Sequence, residues 1–153
     1  MRIITDTTGY EWILNFNVGS VQIIADRLQK RLNIDFMSPT AFIARLADPL
    51  TACNILAVCC VDQMTEAGIE TSDQFAERWA GVALYNAINE LRQEYIDFFP
   101  DPTAQEAMNR VVEETEKIQR QAWGILSENL TKELNKAYKN YCSELRSLQD
   151  QSG

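Results

Sequence analysis

The sequence predicts a mainly α-helical fold: an N-terminal β-hairpin followed by a helical bundle with a long C-terminal helix or helical hairpin. Three observations predict it. Tyr10, Trp12, Leu14 and Phe16 alternate with Glu11, Ile13, Asn15 and Asn17, a period of two that puts four large side chains on one face of a strand. From residue 18 onward, apolar residues recur at three- and four-residue steps between start signals made of Asn, Ser, Asp and Pro. Between Pro102 and Leu148 there is no proline, and the one glycine is Gly124.

Taken in order, Arg2-Ile3-Ile4-Thr5 is a short β-branched strand, and Asp6-Thr7-Thr8-Gly9 supplies a turn in which Gly9 can take a positive φ. Two strands alone are marginal in water, so the large face of the hairpin must lie on helices or on another chain. Asn17 can cap the next helix, whose stripe is Val18, Val21, Ile24, Ala25, Leu28 and Leu32. Ser38-Pro39 starts a short helix with Phe42, Ile43 and Leu46 on one face. Asp48-Pro49 starts another, expected to run to about Ala67 and to stop at Gly68. Thr71-x-x-Gln74 is a capping box opening a helix with Phe75, Trp79, Val82, Ala83, Ala87, Leu91, Tyr95 and Phe98 at helical spacing. Phe99-Pro100-Asp101-Pro102 ends it. This helix is expected to pack on 49–67 as an antiparallel pair.

The last third carries one nearly continuous stripe, from Met108, Val111 and Val112 through Ile118, Ala122, Ile125, Leu126, Leu130, Leu134, Ala137 and Tyr138 to Tyr141, Leu145 and Leu148. Glu113–Lys117, Glu116–Arg120 and Glu128–Lys132 are i,i+4 pairs in the favourable order. A single helix over this span is ~70 Å long, well beyond a compact domain of this size. Two arrangements are open. The segment bends near Trp123-Gly124 and folds back as a hairpin, or it projects and finds a partner. A strict heptad is missing across 122–134, which argues against a long two-stranded heptad coiled coil. The expected organisation is a hairpin-plus-helical core over 1–102, an amphipathic segment over 103–148 and a frayed tail over 149–153.

Composition narrows the function. The 153 residues hold 14 bases and 22 acids, a net charge of −8, and no histidine at all. An acidic chain repels phosphate backbones, so nucleic acid is not an expected partner. Without histidine there is no Ser-His-Asp or Cys-His catalysis and no His-ligated metal. Nearly all the deficit lies in 62–102, where nine acids face Arg78 and Arg92. That stretch is a solvated acidic face, or a docking surface for a basic partner. Cys53, Cys59, Cys60 and Cys142 form no Cys-x-x-Cys pair and fit free thiols in a reducing cytoplasm. Met1-Arg2-Ile3-Ile4 runs at once into polar residues, so no secretory leader is expected. The longest apolar run, Ile55 to Val61, is far below the ~20 residues needed to span a bilayer, so no membrane is expected as partner.

Carboxylates are the remaining catalytic material, with Glu90 and Glu94 on one helix face, but nothing in their spacing gathers the several ligands a metal needs. No catalytic residue, metal ligand or cofactor is assigned. The candidate partner-binding residues are Phe75, Trp79, Phe98, Phe99, Trp123, Leu126, Leu130 and Leu134. Trp79 sits on an apolar stripe that also suits a core. Trp123, beside Gly124, is the best exposed anchor.

The order of elements is also similar to a known family. The Trp-containing strand Tyr10-Glu11-Trp12-Ile13-Leu14-Asn15-Phe16-Asn17-Val18-Gly19 is followed directly by a helix. The segment Gln74-Phe75-Ala76-Glu77-Arg78-Trp79-Ala80-Gly81-Val82-Ala83 leads to Ile96-Asp97-Phe98-Phe99-Pro100. Together they resemble the small tail assembly chaperones of long-tailed bacteriophages and prophages. The resemblance covers residues 2–102. It implies a mostly helical, non-enzymatic, cytoplasmic assembly factor that self-associates as a homo-oligomer. Such a factor coats the apolar helices of the tape-measure protein while tail-tube proteins polymerise around it. It carries over no catalytic residue. The alternative is a generic helical adaptor or structural subunit of a phage particle, resting on the same stripes with no commitment to a client.

Overall fold

The computed structural model of the protein describes residues 1–32, 35 and 38–152. Among them the order is β1 (Arg2–Thr5), β2 (Glu11–Leu14), α1 (Val18–Ile24), a π-helical turn (Ala25–Gln29), α2 (Lys30–Leu32), α3 (Pro39–Arg45), α4 (Pro49–Cys59), α5 (Val61–Glu66), α6 (Ser72–Ala76), α7 (Gly81–Asp97) and α8 (Pro102–Gln151). The chain divides into a compact unit, residues 1–112, and a second unit, residues 113–153. The fold is the mainly helical one that the sequence predicts, with its N-terminal hairpin and long C-terminal helix.

β1 and β2 pair antiparallel in the register Arg2↔Leu14, Ile3↔Ile13, Ile4↔Trp12, Thr5↔Glu11. The turn between them includes Gly9 at φ +86°, a conformation that favours glycine. The alternation works as the period of two requires: Trp12, Leu14 and Phe16 are buried, and Ile13 faces outward. Tyr10 remains partly exposed, with its ring 4.7 Å from Trp12. β1 lies along α7, and the outer edge of β2 is closed by Gln63. The Gln63 carboxamide accepts from Ile13 N–H at 2.7 Å and donates to Ile13 C=O at 2.6 Å, doing for one residue what a third strand would do.

Helix ends follow local chemistry. Asn17 accepts from Ser20 N–H while the Ser20 hydroxyl accepts from Asn17 N–H. Asp48 caps α4 through Thr51 N–H, and Thr71 with Gln74 forms the capping box of α6. Ser38 occupies the N-cap position of α3 ahead of Pro39, although its side chain makes no capping bond. Gly68 ends α5 at φ +71°.

Two long helices of the sequence reading are broken in the structure. The span 49–67 splits at Cys60 (φ −112°, ψ 11°) into α4 and α5. The span 71–98 splits at 77–80 into α6 and α7. Gly81 there sits at φ +54°, and Thr7 N–H and Thr7 Oγ1 both bond the Arg78 carbonyl, at 3.0 and 2.8 Å. Helical spacing was continuous through 77–81, but the hairpin turn captures the backbone there. Both α6 and α7 then pack on α4.

The core of residues 1–112 is aromatic. Phe42 and Tyr95 meet at 4.0 Å between centroids, Phe16 stacks edge-on against Tyr95 and Phe98, and Trp12 lies edge-on to Phe75 at 5.0 Å. Met108 and Val112, in the first turns of α8, are buried in this core, so the compact unit extends about ten residues past Pro102. α3 and α4 together are apolar enough to cross a membrane, but they bend by 106° and contribute Phe42, Ile43, Ile55 and Leu56 to the core. No single described helix is long and apolar enough to do so.

α8 is one helix of 50 residues, about 75 Å long. It passes through Trp123-Gly124 without a break, so the fold-back alternative is not the arrangement observed. Helix continues to Gln151, into the tail expected to fray; Gly153 lies outside the described residues.

Candidate partner-binding surface

The eight candidate residues fall into three environments. Phe75 is fully buried and Trp79 is 5% exposed, so neither reaches a partner, which corrects the partner-binding role read from sequence. Their rings lie 5.6 Å apart beneath the hairpin, and the buried Trp79 indole N–H has no hydrogen-bond partner among the described residues. They were chosen because stripe residues of an amphipathic helix look alike whether the covering surface is the chain's own or another's. Phe98 and Phe99, at the end of α7, are half-buried and packed on the core, with Phe99 edge-on to Tyr95 at 5.2 Å. Gln105 Nε2 donates to the Phe99 carbonyl at 2.6 Å, fixing the turn into α8. Trp123, Leu126, Leu130 and Leu134 are exposed on α8, by 69, 45, 56 and 70%. The structure brings these last four together on one helix face and leaves the other four in the compact unit.

In residues 113–152 no side chain is buried. From Trp123 onward one set of apolar positions is regular: Trp123, Leu126, Leu130, Leu134, Ala137, Tyr141, Leu145 and Leu148 are separated by steps of 3, 4, 4, 3, 4, 4, 3, while Ile118, Ile125 and Tyr138 are exposed off this face. Extended backward, the same steps pass through polar Gln119 and Thr115 before they reach Val112, Met108 and Ala104. Eleven residues per three turns is 3.67 per turn, close to the natural pitch, so these side chains stay on one face of a nearly straight helix along its length. This spacing was present in the sequence. A search for heptads fails on it because each eleven-residue repeat inserts a step of four. It adds Tyr141, Leu145 and Leu148 to the surface.

The electrostatics of the compact unit are mostly internal. Asp6 is the hub of the hairpin turn. Its Oδ1 accepts from Thr8 N–H, Thr8 Oγ1 and Tyr10 N–H at 2.7–3.0 Å, and its Oδ2 accepts from Trp12 Nε1 at 2.9 Å and Arg78 at 3.1 Å. Burial alone would raise its pKa, but the bonds from Thr8, Trp12 and Tyr10 outweigh burial and hold the carboxyl below its ordinary value. The Arg78 guanidinium also lies 5.5 Å from the Tyr10 ring centroid. Glu94, buried in α7, pairs with the Met1 amine at 2.6 Å, while Arg2 reaches Glu90 at 2.8 Å and Asp97 at 3.0 Å. Three of the nine acids in 62–102 are thus engaged by the first two residues. Sequence reasoning missed Glu94 because its partner, the Met1 amine, comes from more than 90 residues away, and missed Asp6 as a hub because Arg78 lies 72 residues on, although its bonds to Thr8, Tyr10 and Trp12 are local turn chemistry.

Cys60 is buried and its thiol is pushed up to about 12. Burial raises Cys59 and Cys53 as well, so all three are poor nucleophiles. Among the described residues no group of three or more His, Cys, Asp or Glu side chains is placed to hold a metal ion. An open cleft of about 530 Å³ between α3, α4 and α6 is lined by Arg31, Arg45, Asp48 and Asp73, charges of both signs that select neither anion nor cation.

The chain matches no protein-family model, no curated protein and no solved structure. Its functional reading therefore stands on the surface itself. What that surface offers is exposed apolar area on one helix face.

Proposed function

We propose that the protein is a non-enzymatic assembly factor that grips apolar helices of other chains through the exposed stripe of α8. One observation carries this. Seven large apolar side chains, Trp123, Leu126, Leu130, Leu134, Tyr141, Leu145 and Leu148, stay exposed on one helix face, while residues 1–112 already own a closed aromatic core. Exposed area of that kind marks an interaction site in a folded chain.

In the specific form suggested by the resemblance over residues 2–102, the protein is a cytoplasmic phage tail assembly chaperone. Its client is the tape-measure protein, held while tail-tube subunits assemble. Apolar helices longer than any one chaperone would be covered by several copies along their length. A net charge of −7 on residues 1–112 keeps such copies soluble. The alternative, a structural subunit of the particle, would use the same stripe permanently.

Gene order and capture test the proposal. A tail-tube gene upstream and a very long tape-measure gene downstream are expected. A locus without phage structural genes removes the phage role. Immobilised full-length protein is expected to capture purified helical fragments of that tape-measure protein, and the Leu130→Lys/Leu134→Lys variant to lose them. Equal capture by both chains would overturn the role of α8. Mass spectrometry of mature particles separates chaperone from subunit, since only a subunit persists there.

A further inference from the structure

We infer that the groove beside the outer edge of β2 is a docking site for an extended, basic peptide segment of another protein. The segment pairs with β2 as a third strand at Ile13, in place of the Gln63 carboxamide. The site lies wholly within residues 1–112 and is separate from the stripe of α8.

The backbone of β2 defines the edge. Ile13 N–H donates to Gln63 Oε1 at 2.7 Å, and Gln63 Nε2 donates to Ile13 C=O at 2.6 Å. Both main-chain groups of Ile13 thus point away from β1. Ladder groups alternate in direction along a strand, so those of Glu11 turn to the same edge. A residue of an added strand would make the same donor–acceptor pair with Ile13 that the carboxamide makes. The carboxamide is a stand-in for a peptide group, carried on a side chain that can swing aside. The main chain of a ligand would also reach Glu11, which one side chain cannot.

Space for the segment is present. Beside the cap opens a groove of about 500 Å³ between β2, α1 and α5. Its walls include Ile13, Ile23, Val58 and Val61, of which Ile13 and Val61 are exposed. Such walls suit the alternate apolar side chains of a strand.

Charge selects the occupant. Asp62, Gln63 and Glu66 share one face of α5, and all three line the groove. Both carboxylates are exposed, and the described lining contains no base. Glu11, on the outer face of β2 with Ile13, adds a third carboxylate. The two bases of 62–102 are committed elsewhere, Arg78 to Asp6 and the buried Arg92 to Asn89. Lys or Arg at every second position of a bound strand would meet these carboxylates with no local base to compete. A nucleic-acid backbone would be repelled, and an α-helix, its own N–H and C=O groups already paired, has nothing to offer Ile13.

The test uses the full chain and a defined probe, the fluorescein-labelled, C-terminally amidated heptapeptide Val-Lys-Val-Lys-Val-Lys-Val. By fluorescence anisotropy it is expected to bind with a Kd of about 10–100 μM, and about 5–10-fold more weakly in high salt. The same peptide N-methylated along its backbone keeps the charge without the donors, and is expected to bind at least about 10-fold more weakly. Glutamate in place of lysine is expected to abolish binding. Asp62→Asn/Glu66→Gln should weaken it by about 5-fold or more and flatten the salt dependence. Gln63→Ala removes the competing carboxamide and should tighten it by about 3–10-fold. If that variant loses its near-UV spectrum, Gln63→Met, similar in length and without bonding groups, takes its place. In nitrogen-15 NMR of the parent, the Ile13 amide signal is expected to move on titration and those of Leu130 and Leu134 to stay. No binding at about 1 mM probe, equal binding of the N-methylated peptide, an unmoved Ile13 signal, or a folded Gln63 variant that binds no more tightly would each overturn the inference. Leu130→Lys/Leu134→Lys should bind the probe as the parent does, so failure at this groove is distinct from failure of capture by α8.

Discussion

Replacing Asp6 with Ala tests whether the hairpin turn is held by its side-chain hub. The truncation removes the acceptor for five donors at once: Thr8 N–H, Thr8 Oγ1, Tyr10 N–H, Trp12 Nε1 and Arg78. Trp12 is fully buried, so its indole N–H loses its partner where water cannot replace it, at a cost of about 1–3 kcal/mol. The Arg78 guanidinium is partly exposed and regains water, so its pair contributes less, about 1 kcal/mol. The two turn N–H groups and the Thr8 hydroxyl add about 1 kcal/mol together. The expected loss is about 3–5 kcal/mol, which for a unit of this size lowers the unfolding midpoint by roughly 12–20 °C. Near-UV circular dichroism is the right assay, because it follows packed aromatic side chains whereas α8 contributes heavily to the far-UV signal. An Asp6→Ala midpoint within about 4 °C of the parent would refute the reasoning. So would additivity with Arg78→Met, since a shared hub requires coupling between the two sites.

Other perturbations separate folding from gripping. Trp79→Ala is expected to cost about 3–5 kcal/mol in urea unfolding, and Trp123→Ala to stay within about 0.5 kcal/mol while weakening association. Asp6 and Asp48 both have lowered pKa values, Asp6 because its bonds outweigh burial and Asp48 chiefly through the Thr51 hydroxyl. The unfolded chain therefore binds protons first as pH falls. Their stabilisation is complete above the ordinary carboxyl value of 3.8 and is lost below it, so the denaturation midpoint should fall in acid, less steeply in Asp6→Asn than in the parent. Gly81→Ala forces a side chain to φ +54° and is expected to cost about 1–2 kcal/mol, whereas Gly124→Ala, in a helix interior with open space around it, should stabilise α8 by about 0.5–1 kcal/mol. The stripe lies on a segment of net −1, so association through it should change little with ionic strength by light scattering, whereas docking of a basic partner on the acidic 62–102 should weaken as salt rises.

What the sequence made legible was local. Asn17, Asp48 and the Thr71–Gln74 box act through bonds within four residues, and each caps the helix it was expected to cap. Gly68 stops a helix for the same short-range reason. The two misread helices fail where distant groups intervene. Arg78 is drawn out of helical geometry by Thr7 and Asp6, more than 70 residues earlier, and no periodicity in 71–98 registers that pull. Trp79 was ambiguous for a related reason, since a stripe announces that it will be covered without naming the cover. On α8 the ambiguity divides one pattern. Met108 and Val112 obey the same 4-4-3 steps as Leu126 and Leu130, yet the first two are buried and the last two are not.

That division is the physical basis for treating folding and gripping as separable. The core of residues 1–112 closes with Met108 and Val112 as its last contributions, and every aromatic pair that stabilises it lies N-terminal to them. Past Val112 the helix continues with no burial to sustain it, and a helix held only by propensity and i,i+4 pairs such as Glu116–Arg120 is marginal, all the more with Gly124 inside it. Of the 39 residues that follow, those from Trp123 to Leu148 keep the apolar spacing of a packed helix without the packing. Polar substitutions at Leu130 or Leu134 would cost the core of 1–112 no contact. The apolar spacing from Trp123 to Leu148 is thus area that the core of residues 1–112 does not use, and it is there that gripping can be changed without touching the fold.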